Sequence, residues 1–144
     1  TRGGSLHMMR GRRSYRRCLP PRDRKRGLEG ELLTGCSSMY HALRCALALA
    51  DDRGEPQPDW ELAAATLGHA VAAHPERFAP RERYSMDWYY PILGAATRGE
   101  AAHQRLAAGW DTFVVAGLGV RCVSDRPWVT GAETCEPMLP ASKV

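Results

Sequence analysis

Apolar residues recur at helical spacing through most of the chain, and glycine and proline divide them into separate segments. The first runs from about Thr34 or Ser37 to Asp52, with Met39, Tyr40, Leu43, Ala46, Leu47 and Ala50 on one stripe, and Gly54 and Pro56 stop it. The second starts at Asp59, an N-cap type directly after Pro58, and carries Leu62, Ala65, Leu67, Ala70 and Val71 until Pro75 excludes the helical conformation at His74. The third runs from near Ser85 to Thr97, with Pro91 close enough to the first turn to be tolerated with a bend. The fourth covers Glu100 to about Val114, with Ala101, Leu106, Trp110, Phe113 and Val114 as its buried members. Residues 119–129 read as a short hairpin-like loop. A fifth helix is launched at Thr130, where Thr130 and Glu133 have the spacing of a capping box, and Pro137 and Pro140 interrupt it within two turns.

The spacing of these helices carries a second pattern. Leu33-Thr34-Gly35-Cys36-Ser37-Ser38 is echoed 96 residues later by Val129-Thr130-Gly131-Ala132-Glu133-Thr134, and helix starts at Thr34, Ser85 and Thr130 are separated by 51 and 45 residues. One polar, alanine-rich helix lies between each pair. A two-helix repeat of this length predicts an all-α fold of stacked helical hairpins, as an open solenoid or part of a closed α/α toroid. The alternative is an irregular five-helix bundle with a coincidental echo.

Composition narrows the class. With 144 residues, 44% hydrophobic and 25% charged, the chain suits one compact domain. Its longest apolar run is the six residues Cys45 to Ala50, far short of the roughly 20 of a membrane span. No secretory-signal pattern stands near the start, so a cytoplasmic location is expected. Five cysteines at irregular spacings read as thiols, mostly buried. The net charge of +4 divides unevenly: residues 1–26 carry +9 and the remainder −5. Such a basic stretch cannot bury enough apolar surface to offset its ordering entropy. The predicted division is therefore a disordered basic tail over 1–28, a helical domain over 29–136 and a disordered C-terminal tail over 137–144. The basic tail reads as an electrostatic arm, as a solvated extension, or as sequence upstream of a start at Met8 or Met9. No specific nucleic-acid partner is expected.

Three segments then stand out together: Leu33 to His41, Tyr84-Ser85-Met86-Asp87-Trp88-Tyr89-Tyr90-Pro91-Ile92-Leu93-Gly94, and Gly119 to Glu136. They resemble bacterial prenyltransferase-like proteins of the terpenoid cyclase and protein prenyltransferase α/α toroid superfamily. The resemblance covers about Gly30 to Glu136. It implies inner helices around a central cavity, with the starts at Thr34, Ser85 and Thr130 equivalent. It also implies a transferase or cyclase acting on an isoprenoid-type substrate when complete. The family would continue past Glu136 with further hairpins, so the chain is expected to be a fragment, inactive alone. It lacks the Asp-rich motif of class II cyclases and a convincing zinc-ligand set, and fold alone does not fix chemistry.

The densest chemistry lies in Met86-Asp87-Trp88-Tyr89-Tyr90. Asp87 is a candidate general acid or base and the aromatics can stack on a sugar or stabilise a carbocation, or Asp87 complements the helix dipole and the rings are core. Glu133 reads as a capping-box residue or as a second catalytic carboxylate. Together, Asp87 and Glu133 would make the paired carboxylates of a glycoside-cleaving site, which is the alternative, carbohydrate-active reading of a six-hairpin toroid. Candidate substrate-binding residues are Tyr40, Trp88, Tyr89, Tyr90, Arg121 and Trp128. Arg121, with Asp125 and Arg126, either binds an anionic group or forms a loop salt bridge. His41 and Cys45, four apart, with Cys36 nearby, are a weak metal signal; no metal and no cofactor are expected. The expected partners are a small-molecule substrate in a cavity and, through an apolar edge left uncovered, a second copy of the chain. A third reading is an inactive truncated scaffold.

Overall fold

The computed structural model describes residues 30–141. The basic tail expected over 1–28, Cys18 within it, and residues 142–144 lie outside the described residues. Among the described residues are five α-helices: α1 Leu33–Asp52, α2 Pro58–Ala73, α3 Ser85–Leu93, α4 Gly99–Phe113 and α5 Gly131–Ala141. A 3-10 turn, Pro75–Arg77, follows α2. Between α4 and α5 the strands β1 Val114–Val115, β2 Gly119–Arg121 and β3 Val129–Thr130 form an antiparallel sheet in that order. Val120 faces Val114 on one side and Thr130 on the other. The fold is thus mostly helical rather than all-α: the hairpin expected over 119–129 is present, and Val114, expected in the helix, begins an added strand.

The helices form a row of three with two at its side. α3 packs against α1 on one flank and α5 on the other, while α2 packs on α1 and α4 on α3. Two cores result. Leu33, Cys36 and Leu43 of α1 meet Ala64, Leu67 and Val71 of α2, with Phe78 closing the end. Trp88 and Tyr89 of α3 meet Phe113 and Val120. Each fully buried large side chain of this kind contributes about 1.5–3 kcal/mol.

Close approach of α1 and α3 depends on Gly94, the residue after α3, because a Cβ there would lie 2.7 Å from the Ser37 carbonyl oxygen of α1. The sheet is joined to the start of α3 by Ser85 N–H donating to the Cys122 carbonyl and Ser124 N–H donating to the Arg83 carbonyl. At the start of α5, the Glu133 N–H donates to Thr130 Oγ1 at 3.4 Å, the first half of a capping box.

Several expected positions move. Leu62, Ala65, Ala101 and Trp110 are exposed, and Ala64, Ala102 and Gly109 take the inward places. Neighbouring alanines give adjacent helix positions equal hydropathy, and a one-residue slip turns the face by about 100°. The third helix ends at Leu93 rather than Thr97, since Gly94 caps it and Ala95 takes a positive φ of 59°. α5 continues through Pro137 and Pro140 to Ala141, beyond the expected interruption; its packing on α3 and β2 outweighs the hydrogen bond each proline forfeits. Of the thiols, Cys36 is buried, Cys122 half-buried, and Cys45 and Cys135 exposed, so the expectation of mostly buried thiols does not hold. No helix among the described residues is long and apolar enough to cross a membrane.

Two glycine substitutions should act with opposite signs in urea unfolding. Gly94→Ala pushes a methyl into the α1 backbone and should destabilise by about 1–3 kcal/mol. Gly35→Ala, whose Cβ meets only the Leu32 Cβ at 3.8 Å, should stabilise by about 0.5–1 kcal/mol through helix entropy.

Candidate active site

The first turn of α3 is where chemistry and packing meet. Asp87 is its third residue and half-buried, and it lines a cleft of about 640 Å3. The cleft lies between the segment Pro75–Tyr84 and α4, over the start of α3. Its apolar wall includes Leu33, Phe78, Trp88, Ala108 and Phe113; its charged groups are Glu76, Arg81, Glu82, Asp87 and Arg105.

Neighbouring helices hold Asp87. Thr34 of α1 donates its hydroxyl to Asp87 Oδ1. Arg105 of α4 donates Nη2 to the Asp87 carbonyl oxygen at 2.6 Å and Nε to the Trp88 carbonyl oxygen at 2.8 Å. In return the Trp88 indole N–H donates to the Arg105 carbonyl at 2.8 Å. The indole lies against Gly109, where any Cβ would overlap it, and stacks on Phe113 with centroids 5.4 Å apart.

Burial lifts the Asp87 carboxyl above its ordinary range, because desolvation penalises the charged form. The Thr34 hydroxyl and the guanidinium groups of Arg105 and Arg81 oppose that rise without cancelling it. Burial likewise lowers Arg105 from its usual value, against the pull of Asp87. The result is a carboxyl whose charged form burial penalises and its neighbours only partly restore, in a cleft with cations and aromatic rings.

A second cluster lies on the α5 side of α3. Tyr89, fully buried, donates its hydroxyl to Glu136 Oε2 at 2.5 Å. Burial, then the bond to Glu136, raises Tyr89 far above the usual phenol range, and burial followed by the Glu136 charge raises Tyr90. Glu133 acts on both tyrosines from α5.

The expected site residues therefore separate. Asp87 and Trp88 share the cleft; Tyr89, Tyr90 and Glu133 gather around Glu136. Tyr40 sits against Gly68 of α2 and lines a different cavity, of about 340 Å3, with Arg44 and Glu61. Trp128 is 57% exposed on the loop before β3. Arg121 of β2 is half-buried, and its Nε is without a hydrogen-bond partner among the described residues. Asp125 pairs with Arg83 at 2.7 Å, and that pairing raises Arg83 and lowers Asp125. His41 Nε2 and Cys45 Sγ stand 3.7 Å apart on an exposed face, and no group of three metal-ligating side chains occurs among the described residues. Sequence reasoning missed Arg105, Thr34, Arg81 and Glu82. Arg105 had one signal: Pro91 lies four residues after Asp87 and deprives its carbonyl of a helical donor.

The chain matches no protein-family model. It is 66% identical over 111 residues to the MMP endo-(1,4)-3-O-methyl-alpha-D-mannosidase of Mycolicibacterium hassiacum, a match covering 77% of this chain and 31% of that enzyme. The chain thus spans about a third of the length of the curated relative it matches. This similarity overturns the prenyltransferase-like expectation. A relative this similar carries the name of a carbohydrate-active enzyme, so the isoprenoid substrate and the transferase or cyclase activity fall with it.

The raised Asp87 fixes the sign of a pH effect. A carboxyl raised in the folded state adds stability below its unfolded value, near pH 3.9, and that contribution is lost as pH rises through the folded value. Stability of the wild type relative to Asp87→Asn, followed by denaturant unfolding from about pH 3.5 to pH 8, should fall with rising pH.

Proposed function

We propose that this chain is the portion of a glycan-cleaving hydrolase that carries its general acid, Asp87, and that the substrate is an α-(1→4)-linked chain of 3-O-methylated mannose. The observation that carries this reading is the 66% identity over 111 residues to an enzyme named for that cleavage. The cleft supports it independently: a carboxyl raised by burial, aromatic and apolar walls for sugar faces and methyl ethers, and arginines for hydroxyls.

Asp87 gives its proton to the glycosidic oxygen as the bond from that oxygen to the anomeric carbon breaks, and positive charge spreads over the ring oxygen and anomeric carbon. A second carboxylate then attacks that carbon or takes a proton from the attacking water. Glu82 shares the cleft, and Glu133 holds the third position of α5 as Asp87 does in α3. The row α1, α3, α5 with α2 and α4 at its side supports a wider reading, that these are inner and outer helices of part of an α/α toroid. On that reading, exposed Trp60, Leu62 and Trp110 form surface that further helices or a second copy would cover.

The test places the 111-residue matched segment of this chain into the Mycolicibacterium enzyme and follows release of shorter 3-O-methylmannose oligosaccharides by mass spectrometry. The chimera should cleave, and Asp87→Asn in it should lower the rate by about 10²- to 10⁴-fold. Of Glu82→Gln and Glu133→Gln, the one with a comparable loss marks the second carboxylate. A folded chimera indifferent to Asp87→Asn would refute the assignment.

A further inference from the structure

Helix α3 contains an internal proline, and the consequence falls on the candidate acid. In an α-helix each carbonyl accepts from the N–H four residues later. For Asp87 that residue is Pro91, which has no N–H and whose ring crowds the same carbonyl. Pro91 is also fully buried, and the turn it leaves short of a donor is partly buried against α4. A carbonyl left without a partner at such a place costs about as much as a lost hydrogen bond.

The structure fills the gap from another helix. Arg105 Nη2 donates to the Asp87 carbonyl at 2.6 Å, and Nε to the next carbonyl, of Trp88, at 2.8 Å. One planar guanidinium thereby holds two successive carbonyls in the turn that bears the acid. The fork is itself oriented: the Trp88 indole N–H returns a bond to the Arg105 carbonyl, and the indole is confined by Gly109 and Phe113.

We infer that Arg105 is a positioning residue for Asp87, standing in for the backbone donor that Pro91 lacks and fixing the turn that aims the carboxyl into the cleft. This rests on the reading of Asp87 as the acid only for its catalytic consequence. The geometry puts a half-buried cation at the base of the turn, so Arg105 acts on Asp87 electrostatically as well. The other groups facing Asp87 are Thr34 from α1 and Arg81 from the segment before α3, and Glu82 and Glu76 line the same cleft. Arg105 is the one among these that joins its charge to the backbone of the turn.

Two measurements on the full chain without substrate test this, so they stand or fall apart from the glycosidase reading. The first is a double-mutant cycle between Pro91 and Arg105 in urea. Arg105→Gln should raise the unfolding equilibrium constant about 10- to 100-fold when residue 91 is proline. In the Pro91→Ala background, where the introduced alanine supplies the missing N–H, the same change should cost several-fold less. The second follows the Asp87 carboxyl carbon by NMR against pH. In Arg105→Gln its midpoint should move to higher pH, and Arg105→Lys should return it towards the wild-type value without restoring the lost stability.

Additive effects in the cycle would overturn the inference, as would an Asp87 midpoint unchanged in Arg105→Gln. Should Arg105→Gln fail to fold with Pro91 present, folding of the Pro91→Ala, Arg105→Gln double variant supports the inference. Failure of that double variant as well, with Pro91→Ala alone folded, contradicts it.

Discussion

The first turn of α3 gives its carboxylate to Thr34 of α1 and its backbone carbonyls to Arg105 of α4, so that three helices are tied together within a few residues. Other contacts radiate from that knot. Trp88 carries α4 inward over Gly109, Tyr89 reaches Glu136 of α5, and Ser85 ties the sheet to the helix start. A helix of nine residues is too short to be stable by its own propensity. It persists because each of its faces is occupied, and the residues that occupy them also set the environment of Asp87.

That economy explains why packing and chemistry are hard to separate here. Burial raises Asp87 and lowers Arg105, and each group's charge works against the shift that burial imposes on the other. The carboxyl is thus raised by burial, while the cation that limits this rise holds two carbonyls of the same turn. Tyr89 and Tyr90 illustrate the other outcome: equally aromatic and adjacent in sequence, they point their hydroxyl chemistry towards Glu133 and Glu136 rather than the cleft. Successive residues of a helix face directions about 100° apart, so this run of four divides, Asp87 and Trp88 to the cleft and the two tyrosines away from it.

Much of the architecture was legible in the sequence. Helix starts near Thr34 and Ser85, the hairpin over 119–129 and the Thr130 cap all followed from punctuation and spacing, the first helix beginning one residue earlier, at Leu33. Periodicity failed where alanines are adjacent, as at Ala64 and Ala65, because composition there is indifferent to face. Asp87 was legible as a candidate because an acid stood among aromatics, but its partners were not: Thr34, Arg81 and Arg105 come from three other segments, 53, 6 and 18 residues away. The resemblance misled on chemistry. The prenyltransferase-like reading rested on the segments Leu33 to His41, Tyr84 to Gly94 and Gly119 to Glu136, and a resemblance in fold does not fix chemistry.

On the function proposed above, the cleft over the first turn of α3 receives a methylated mannose chain. Amide shifts of the labelled chain, titrated with α-(1→4)-linked 3-O-methylmannose oligosaccharide, test it most directly. The account predicts saturable changes centred on Arg81, Tyr84, Asp87, Ala108 and Thr112, with unmethylated mannose oligosaccharide giving weaker ones. Saturable changes centred instead on Tyr40, Arg44 and Glu61, or a folded chain that shows none at all, would contradict it.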